Sequence, residues 1–545
     1  MCVSLSLSFF LSPPFELNST TPDGGALTTD TRHPAPDPAV RRSVPVTGRM
    51  TNSVPTVPTV PTFYPTEEEF ALGPLAYIER IAGKASETGI AHIVPPGSWD
   101  PPPLALRVGI DGIDEDGFEF GVRIQPTSKL FRRRPNGEAE FGFARADRKY
   151  TLGEFEARCR EFDEGQFGGR ANPSVEEVEG AFWRIVNAGE EGGVEGGEEG
   201  GVCAEYGSDL DNLENGSGFP MPDGLRAALF ERRCVQARCR VPKGGRRASW
   251  EKYRSHPWNV NLFSLHPRSA LSYLVDEGAG PDGVELVSGV MVPWVYVGST
   301  FAAFAWHVED HALFSVNYLH EGAPKVWYCV PPNQSGLFEE AMRELLPELF
   351  QASPDLLLKL VTMADPRHLQ ARGVEVHRVV HTPGSFVVTM PNVYHSGLNT
   401  GFNVAESCNF GALPWLRFSK DALKRYAHLR PVSISHDEVM VRIIERCKEP
   451  DMIHAAKCEL RMRLSEIGDV WKAVEERAAS VRRQEPATDE ADCAVCACDL
   501  WLAGCFEEGN PTEMVCLTHA ATLAADREML MTFRYTLDEL TRLCD

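Results

Sequence analysis

The chain has 545 residues, 43% of them apolar and 24% charged, and a formal net charge of −23. That length accommodates several domains with at least one large core, and the balance is that of a globular chain rather than a disordered one. The acidity argues against a protein whose main work is gripping nucleic-acid phosphates and suits a basic partner such as a cationic peptide tail. No run is long and apolar enough to span a bilayer. The 15 cysteines are an odd number, scattered singly except near the C-terminus. That pattern reads as a reducing compartment with one metal module.

Residues 1–58 are rich in Ser, Thr, Pro and Gly and contain VPTVPTVPT, which predicts a disordered tail. The opening MCVSLSLSFFLSPP is apolar but lacks a positive flank and a small-residue cleavage site, so it reads as an untargeted tail or a mis-assigned start. A module over 59–102 follows. In it Thr66 and the acids Glu67 to Glu69 mark a helix start, and Pro95 and Pro96 mark an end.

Residues 103–202 read as a linker. Short strands surround the basic knot FRRRP, whose Arg132 to Arg134 read as a solvated loop. Two amphipathic helices are expected over 151–187, followed by AGEEGGVEGGEEGG, Ala188 to Gly201, as a flexible surface insertion. From 203 to 415 short β-rich runs alternate with turn signals, interrupted by one helix around LFEEAMRELLPELF. Residues 416–486 read as helical, and 487–545 hold the cysteine cluster.

Within the β-rich region, AFAWHVEDHALFSVNYLHEGAPKVWY carries polar residues that a core strand normally excludes. On a strand, residues i and i+2 share a face, so His307 and Glu309 can reach one metal. His395, in PNVYHSGLNTGFN, is the best third ligand. Two histidines and a carboxylate form the facial triad of non-haem Fe(II) oxygenases. An HxE pair alone is a weak signal, and His311 and His320 read as packing or hydrogen-bonded histidines. Lys325 lies on a strand that can run back beside the first. A buried lysine needs an anion, and a dicarboxylate co-substrate supplies one. Ser315 and Asn317 share a face and can donate hydrogen bonds to carboxylate oxygens.

The run from Val292 to Trp415 resembles a Jumonji C domain, through VPWVYVGSTFAAFAWHVEDHALFSVNYLHEGAPKVWYCVPP and MPNVYHSGLNTGFNVAESCNFGALPWL. PTFYPTEEEF…YI resembles the Jumonji N module, and EYGSDLDNLENGSGFP and HPWNVNLFSL resemble the stretches that link the two. The resemblance implies a mixed α+β protein. Its catalytic core would be a double-stranded β-helix of the jelly-roll or cupin kind, with the Jumonji N module, a C-terminal helical region and a small zinc module. It also implies an Fe(II)- and 2-oxoglutarate-dependent dioxygenase that demethylates histone lysines, releasing succinate and formaldehyde.

By match, His307, Glu309 and His395 would hold iron. Lys325 and Tyr206 would bind the far carboxylate of 2-oxoglutarate, with Ser315 and Asn317 completing the pocket and Phe304 and Trp327 walling it. Tyr296 and Ser407 match substrate-pocket positions. From its own residues, Tyr206 could equally be a core tyrosine, and Tyr296 sits in an apolar strand.

The motif set looks most like the JARID-type and plant Jumonji branch that acts on lysine 4 of histone H3. Ser407-Cys408 looks instead like the branch acting on lysines 9 and 36, and a lysine 27 branch shares much of the text. A catalytically inactive Jumonji chromatin scaffold and a Jumonji hydroxylase acting on a non-histone protein are the other classes. No ARID-like module separates the Jumonji parts, so direct DNA binding is not indicated. The expected partners are the histone H3 tail and chromatin complexes, in the nucleus.

CAVCACDLWLAGC and VCLTH pair a CxxC with a CxxH, a tetrahedral Zn(II) signature. They resemble the first part of a five-Cys, His, two-Cys finger. Cys493, Cys496, Cys516 and His519 make one complete site. After His519 the second cysteine pair of that finger is missing, leaving Cys498 and Cys505 without clear partners.

Overall fold

In the computed structural model, which describes residues 54–107, 118–127, 131–133, 139–141, 143–191, 202–222, 247–275, 286–359, 363–483, 492–523 and 528–545, the apolar runs of the middle of the chain build two sheets that close on one another. The amino-terminal half contributes β1 (Thr62–Phe63), β2 (Ile90–Ile93), β3 (Glu119–Pro126), β4 (Phe131–Arg133), β5 (Ala139–Phe141), β6 (Ala144–Thr151) and β7 (Cys203–Asp211). The central strands are β8 (Trp294–Gly298), β9 (Ala303–His307), β10 (Phe314–Gly322), β11 (Lys325–Val330), β12 (His377–His381), β13 (Phe386–Thr389), β14 (Tyr394–Asn399) and β15 (Asn403–Phe410). The larger sheet runs β1-β2-β13-β10-β15-β8-β7-β3-β6, and the smaller runs β12-β11-β14-β9. Strands buried on both faces read as continuous apolar runs, as β11 and β13 do. This is the jelly-roll, cupin-like core expected from the sequence.

Residues 59–102 are built into that core. Thr66 caps the helix Glu67–Ala71 in a reciprocal box with Glu69, which satisfies two helix-end donors. The helix Pro74–Ala85 buries Leu75, Tyr77, Ile78 and Ala82. Phe70 stacks on Trp258 at 4.4 Å. β2 pairs antiparallel with β13, so this segment supplies edge strands to the larger sheet.

The helix Leu152–Gln166 opens with a second capping box, Thr151 with Glu154. The helix Val175–Glu191 is pinned by a buried ion pair. Arg378 on β12 donates to Glu179 at 2.8 Å, the Tyr328 hydroxyl donates to the same carboxylate, and Trp183 donates to Tyr328 at 2.8 Å.

Several expectations are corrected. The tail does not extend to residue 58, because the Pro58 carbonyl accepts from Arg378 N at 2.8 Å and Val60 N donates to Arg378 O at 3.0 Å; residues 1–53 lie outside the described residues. Arg132 and Arg133 stand in β4, paired with β5, rather than in a loop, and Arg134 lies outside the described residues. Ala188 to Glu191 continue the preceding helix: Asn187 is tied to Asp365 at 2.8 Å, and an isolated glycine such as Gly189 is tolerated in a helix. The rest of that insertion lies outside the described residues. LFEEAMRELLPELF forms two helices, Ser335–Leu345 and Pro347–Ala352. Leu346 turns to φ −128°, ψ 50°, because the residue before a proline avoids the helical region.

Beyond the sheets come the helices Leu416–Tyr426, His436–Arg446 and Pro450–Arg477. A small sheet follows, β16 (Ser480–Arg483), β17 (Ala503–Glu507), β18 (Asn510–Val515) and β19 (Met529–Phe533), in the order β16-β19-β17-β18, with a closing helix Leu537–Cys544. Leu460, Ile467 and Trp471 of the long helix share one core with Cys493, Cys496, Cys505 and Met531.

Candidate active site

β9 and β14 are hydrogen-bonded neighbours, and their register sets His307 directly opposite His395. β9 ends at His307, and Glu309, two residues on at φ −56°, ψ 150°, brings its carboxylate within reach of both histidines. His395 Nε2 lies 3.3 Å and His307 Nε2 3.9 Å from Glu309 Oε1. Each imidazole is fixed through its other nitrogen: His307 Nδ1 donates to Ala305 O at 2.7 Å, and His395 Nδ1 to Val393 O at 3.0 Å. The Nε2 lone pairs are therefore left for a metal. Asn409 on β15 donates to Glu309 Oε2 at 2.9 Å.

Electrostatics hold His307 and Glu309 in their metal-binding forms. Burial and the neighbouring His395 keep His307 neutral, with its pKa lowered to about 4. Burial pushes Glu309 upward, but His395, His307 and the Asn409 amide outweigh it and hold its pKa at about 2. Two imidazole nitrogens and a carboxylate within 4.8 Å of one another suit a divalent cation.

Beside this set the same inner face continues to Lys325. β14 lies between β11 and β9, so the lysine strand does not run directly beside the first ligand strand as expected. The pairing His307–His395–Cys329 along one rung and Asn399–Lys325–His381 along another sets its place. Lys325 is buried, and burial alone lowers its pKa to about 7. Its Nζ lies 5.5 Å from the Tyr296 ring centre and 5.9 Å from that of Tyr206. The two rings sit 6.1 Å apart.

Phe304 packs edge-on against Trp327 at 4.6 Å, and Trp327 lies parallel to His395 at 5.9 Å. Gly397 makes room for this: a Cβ there would fall 2.4 Å from Phe304 Cζ. Asn317 faces Ser407 across the β10–β15 pair. Asn317 Oδ1 and Trp327 Nε1 are buried with no hydrogen-bond partner among the described residues. Ser315 shares its hydroxyl with Thr389 at 2.7 Å.

The structure thus brings together His307, Glu309, His395, Phe304, Lys325, Trp327, Tyr206 and Tyr296, with Ser315 and Asn317 on β10 and Ser407 on the neighbouring β15. Asn409 and Thr389 escaped sequence reasoning. Each is the strand partner of Ser315 on β10, a pairing visible only once the register is known. His320 is hydrogen-bonded to the buried Glu406 at 3.0 Å. His311 is buried, as a packing histidine would be, but its Nε2 has no hydrogen-bond partner among the described residues.

A second cluster lies in the C-terminal module. The sulfurs of Cys493, Cys496, Cys498 and Cys516 fall within 4.8 Å of one another. His519 Nδ1 is 3.2 Å from Cys516 Sγ and 3.6 Å from Cys493 Sγ. Cys498 therefore has partners, contrary to expectation, because the Asp492–Asp499 bridge folds its strand end back on the CxxC loop. Cys505 is buried in β17.

Residues 294–410 match the family described as JmjC domain, hydroxylase; residues 61–95 match the jmjN domain; and residues 493–543 match the C5HC2 zinc finger. The chain is 34% identical to lysine-specific demethylase JMJ703 of Oryza sativa subsp. japonica over 90% of its own length and 41% of that protein's. It is 32% identical to putative lysine-specific demethylase JMJ16 of Arabidopsis thaliana, over 90% and 44%. It is 33% identical to lysine-specific demethylase 5B of Gallus gallus, over 73% and 25%. The chain spans less than half the length of these curated relatives.

Proposed function

We propose, for a chain that carries JmjN, JmjC and C5HC2 modules and is homologous to these lysine demethylases, that it demethylates histone H3 lysines as an Fe(II)/2-oxoglutarate-dependent dioxygenase. The observation that carries this reading is one inner face holding His307, Glu309 and His395 beside the buried Lys325. The donor set fits Fe(II), and a buried lysine with two orphaned polar neighbours fits a dicarboxylate.

When bound, iron together with 2-oxoglutarate and dioxygen supplies the oxidation that hydroxylates an N-methyl group, which then leaves as formaldehyde while the co-substrate becomes succinate and carbon dioxide. The chain's own residues do the rest. His307, Glu309 and His395 would hold the metal. Asn409 keeps Glu309 turned toward the histidines. Lys325 and Tyr206 receive the far carboxylate, and Asn317, with its amide turned to present Nδ2, donates a further hydrogen bond. Phe304 and Trp327 exclude water. Tyr296 offers the methylated ammonium a ring face and an oxygen rather than a counter-charge, with Ser407 across the pocket.

Lysine 4 is the favoured target, on the resemblance of the whole motif set; Ser407 favours lysine 9 or 36 as the second reading. A nuclear setting and chromatin partners follow from a histone substrate. No helix among the described residues is long and apolar enough to cross a membrane. Mass spectrometry of methylated H3 tail peptides, with Fe(II), 2-oxoglutarate and ascorbate, tests the reading directly.

A further inference from the structure

His381 is fully buried at the end of β12, directly opposite Lys325 in the ladder. Its Nε2 is 2.9 Å from the Ser385 carbonyl oxygen. A carbonyl only accepts, so Nε2 carries the proton. Burial keeps the ring uncharged. Nδ1 is therefore a buried acceptor, and it has no partner among the described residues. On the adjacent inward position of β11, Trp327 Nε1–H is a buried donor, also without one. The two ring centres stand 6.1 Å apart. Two hydrogen bonds through one water span up to about 5.8 Å between nitrogens, and a buried water needs two to four polar partners.

We infer that Trp327 Nε1 and His381 Nδ1 are bridged by one buried water, and that His381 is a positioning residue for the far carboxylate of the co-substrate. The water accepts from Trp327, donates to His381, and has its second hydrogen left for the carboxylate held by Lys325. The inference rests on the 2-oxoglutarate reading of the pocket.

The arrangement also ties the site to the amino-terminal segment. His92 on β2 is 3.0 Å from the Ser385 hydroxyl, which itself donates to Thr382 O at 2.6 Å. The His92 ring stands 6.2 Å from that of His381. The turn that orients His381 is thus gripped from a strand more than 280 residues earlier in the chain.

The test is a double-mutant cycle on the full chain loaded with Mn(II), reading 2-oxoglutarate affinity by calorimetry and folding by thermal melting. Trp327→Phe and His381→Leu each remove one end of the bridge. Each is expected to weaken 2-oxoglutarate about fivefold to tenfold, and the double variant no further, because both delete the same link. His381→Gln, which restores an acceptor, is expected to stay within about twofold of the parent. Additive losses, an unchanged affinity in folded His381→Leu, or a Gln variant as weak as the Leu one would overturn the inference. Lys325→Met separates the two levels. If it leaves 2-oxoglutarate affinity intact, the pocket reading itself fails. If it abolishes binding while the cycle is additive, only the water bridge fails.

Discussion

Asn409 and Glu309 are joined by a 2.9 Å hydrogen bond across the gap between the two sheets. The amide takes one carboxylate oxygen and so leaves the other, 3.3 Å from His395 Nε2, directed at the metal position. Partners of ligating carboxylates typically change metal affinity 10–100-fold when removed. Asn409→Ala is therefore expected to weaken Fe(II) or Mn(II) binding by about tenfold or more without changing the melting temperature of the metal-free protein greatly. Metal titration followed by calorimetry reads it; unchanged affinity would show that Glu309 needs no such support.

Lys325 carries a second expectation. Burial lowers its pKa to about 7, so near neutral pH part of the free protein holds it uncharged. A dicarboxylate favours the ammonium. Binding of 2-oxoglutarate should then take up protons, and affinity should fall as pH rises above about 7. Calorimetry in buffers of different ionisation enthalpy measures the uptake. Affinity independent of pH from 6.5 to 9 would contradict it.

How much of this was legible from the sequence depends on the kind of contact. The HxE pair, the distal His395 and Lys325 stand in long motifs, and the strand period put each on an inward face. Asn409 and Thr389 were invisible because their roles come from register between strands, which a single strand's pattern does not specify. The placement of β14 between β11 and β9 was missed for the same reason. Cys498 was misjudged because spacing alone favours the CxxC with the CxxH, whereas a backbone bridge between Asp492 and Asp499 folds a fifth donor into reach.

Buried and partly buried histidines make the fold acid-sensitive. His92, His256, His311 and His436 each have a pKa lowered by burial to about 4. The unfolded chain, with ordinary histidines near 6.5, binds protons first as pH falls. Stability is therefore fully present above about 6.5 and lost progressively down through 4. The melting temperature of the metal-free protein should drop steadily between pH 6.5 and 4.5; a flat profile there would mean these rings titrate normally.

The Glu179–Arg378 pair gives a stability prediction. Glu179 is fully buried and Arg378 is partly exposed. Arg378→Met leaves the carboxylate with Tyr328 as its one hydrogen-bond partner among the described residues, and removing one member of a buried pair costs about 3–5 kcal/mol. Denaturant unfolding should show a lower midpoint with little change of slope. A loss under about 1 kcal/mol would place the pair in a wetter environment than its burial implies.

In the C-terminal module five donors surround room for one tetrahedral ion, which takes four. One zinc per chain is expected by elemental analysis. Cys516→Ala should lose it, since the Cys516 sulfur is close to both Cys496 and His519. Of Cys498→Ala and His519→Ala, one should retain zinc. Two zincs per chain would mean a second site beyond this cluster.

The measurement that bears most directly on the account is mass spectrometry of tri-, di- and monomethylated histone H3 tail peptides incubated with the purified chain, Fe(II), ascorbate and 2-oxoglutarate, beside its His307→Ala variant. The expected result is stepwise loss of one methyl group with matching succinate, on lysine 4 peptides before those of lysines 9, 27 or 36, and none with the variant. Peptides left intact by a protein shown to hold iron and 2-oxoglutarate, or equal turnover by His307→Ala, would contradict it.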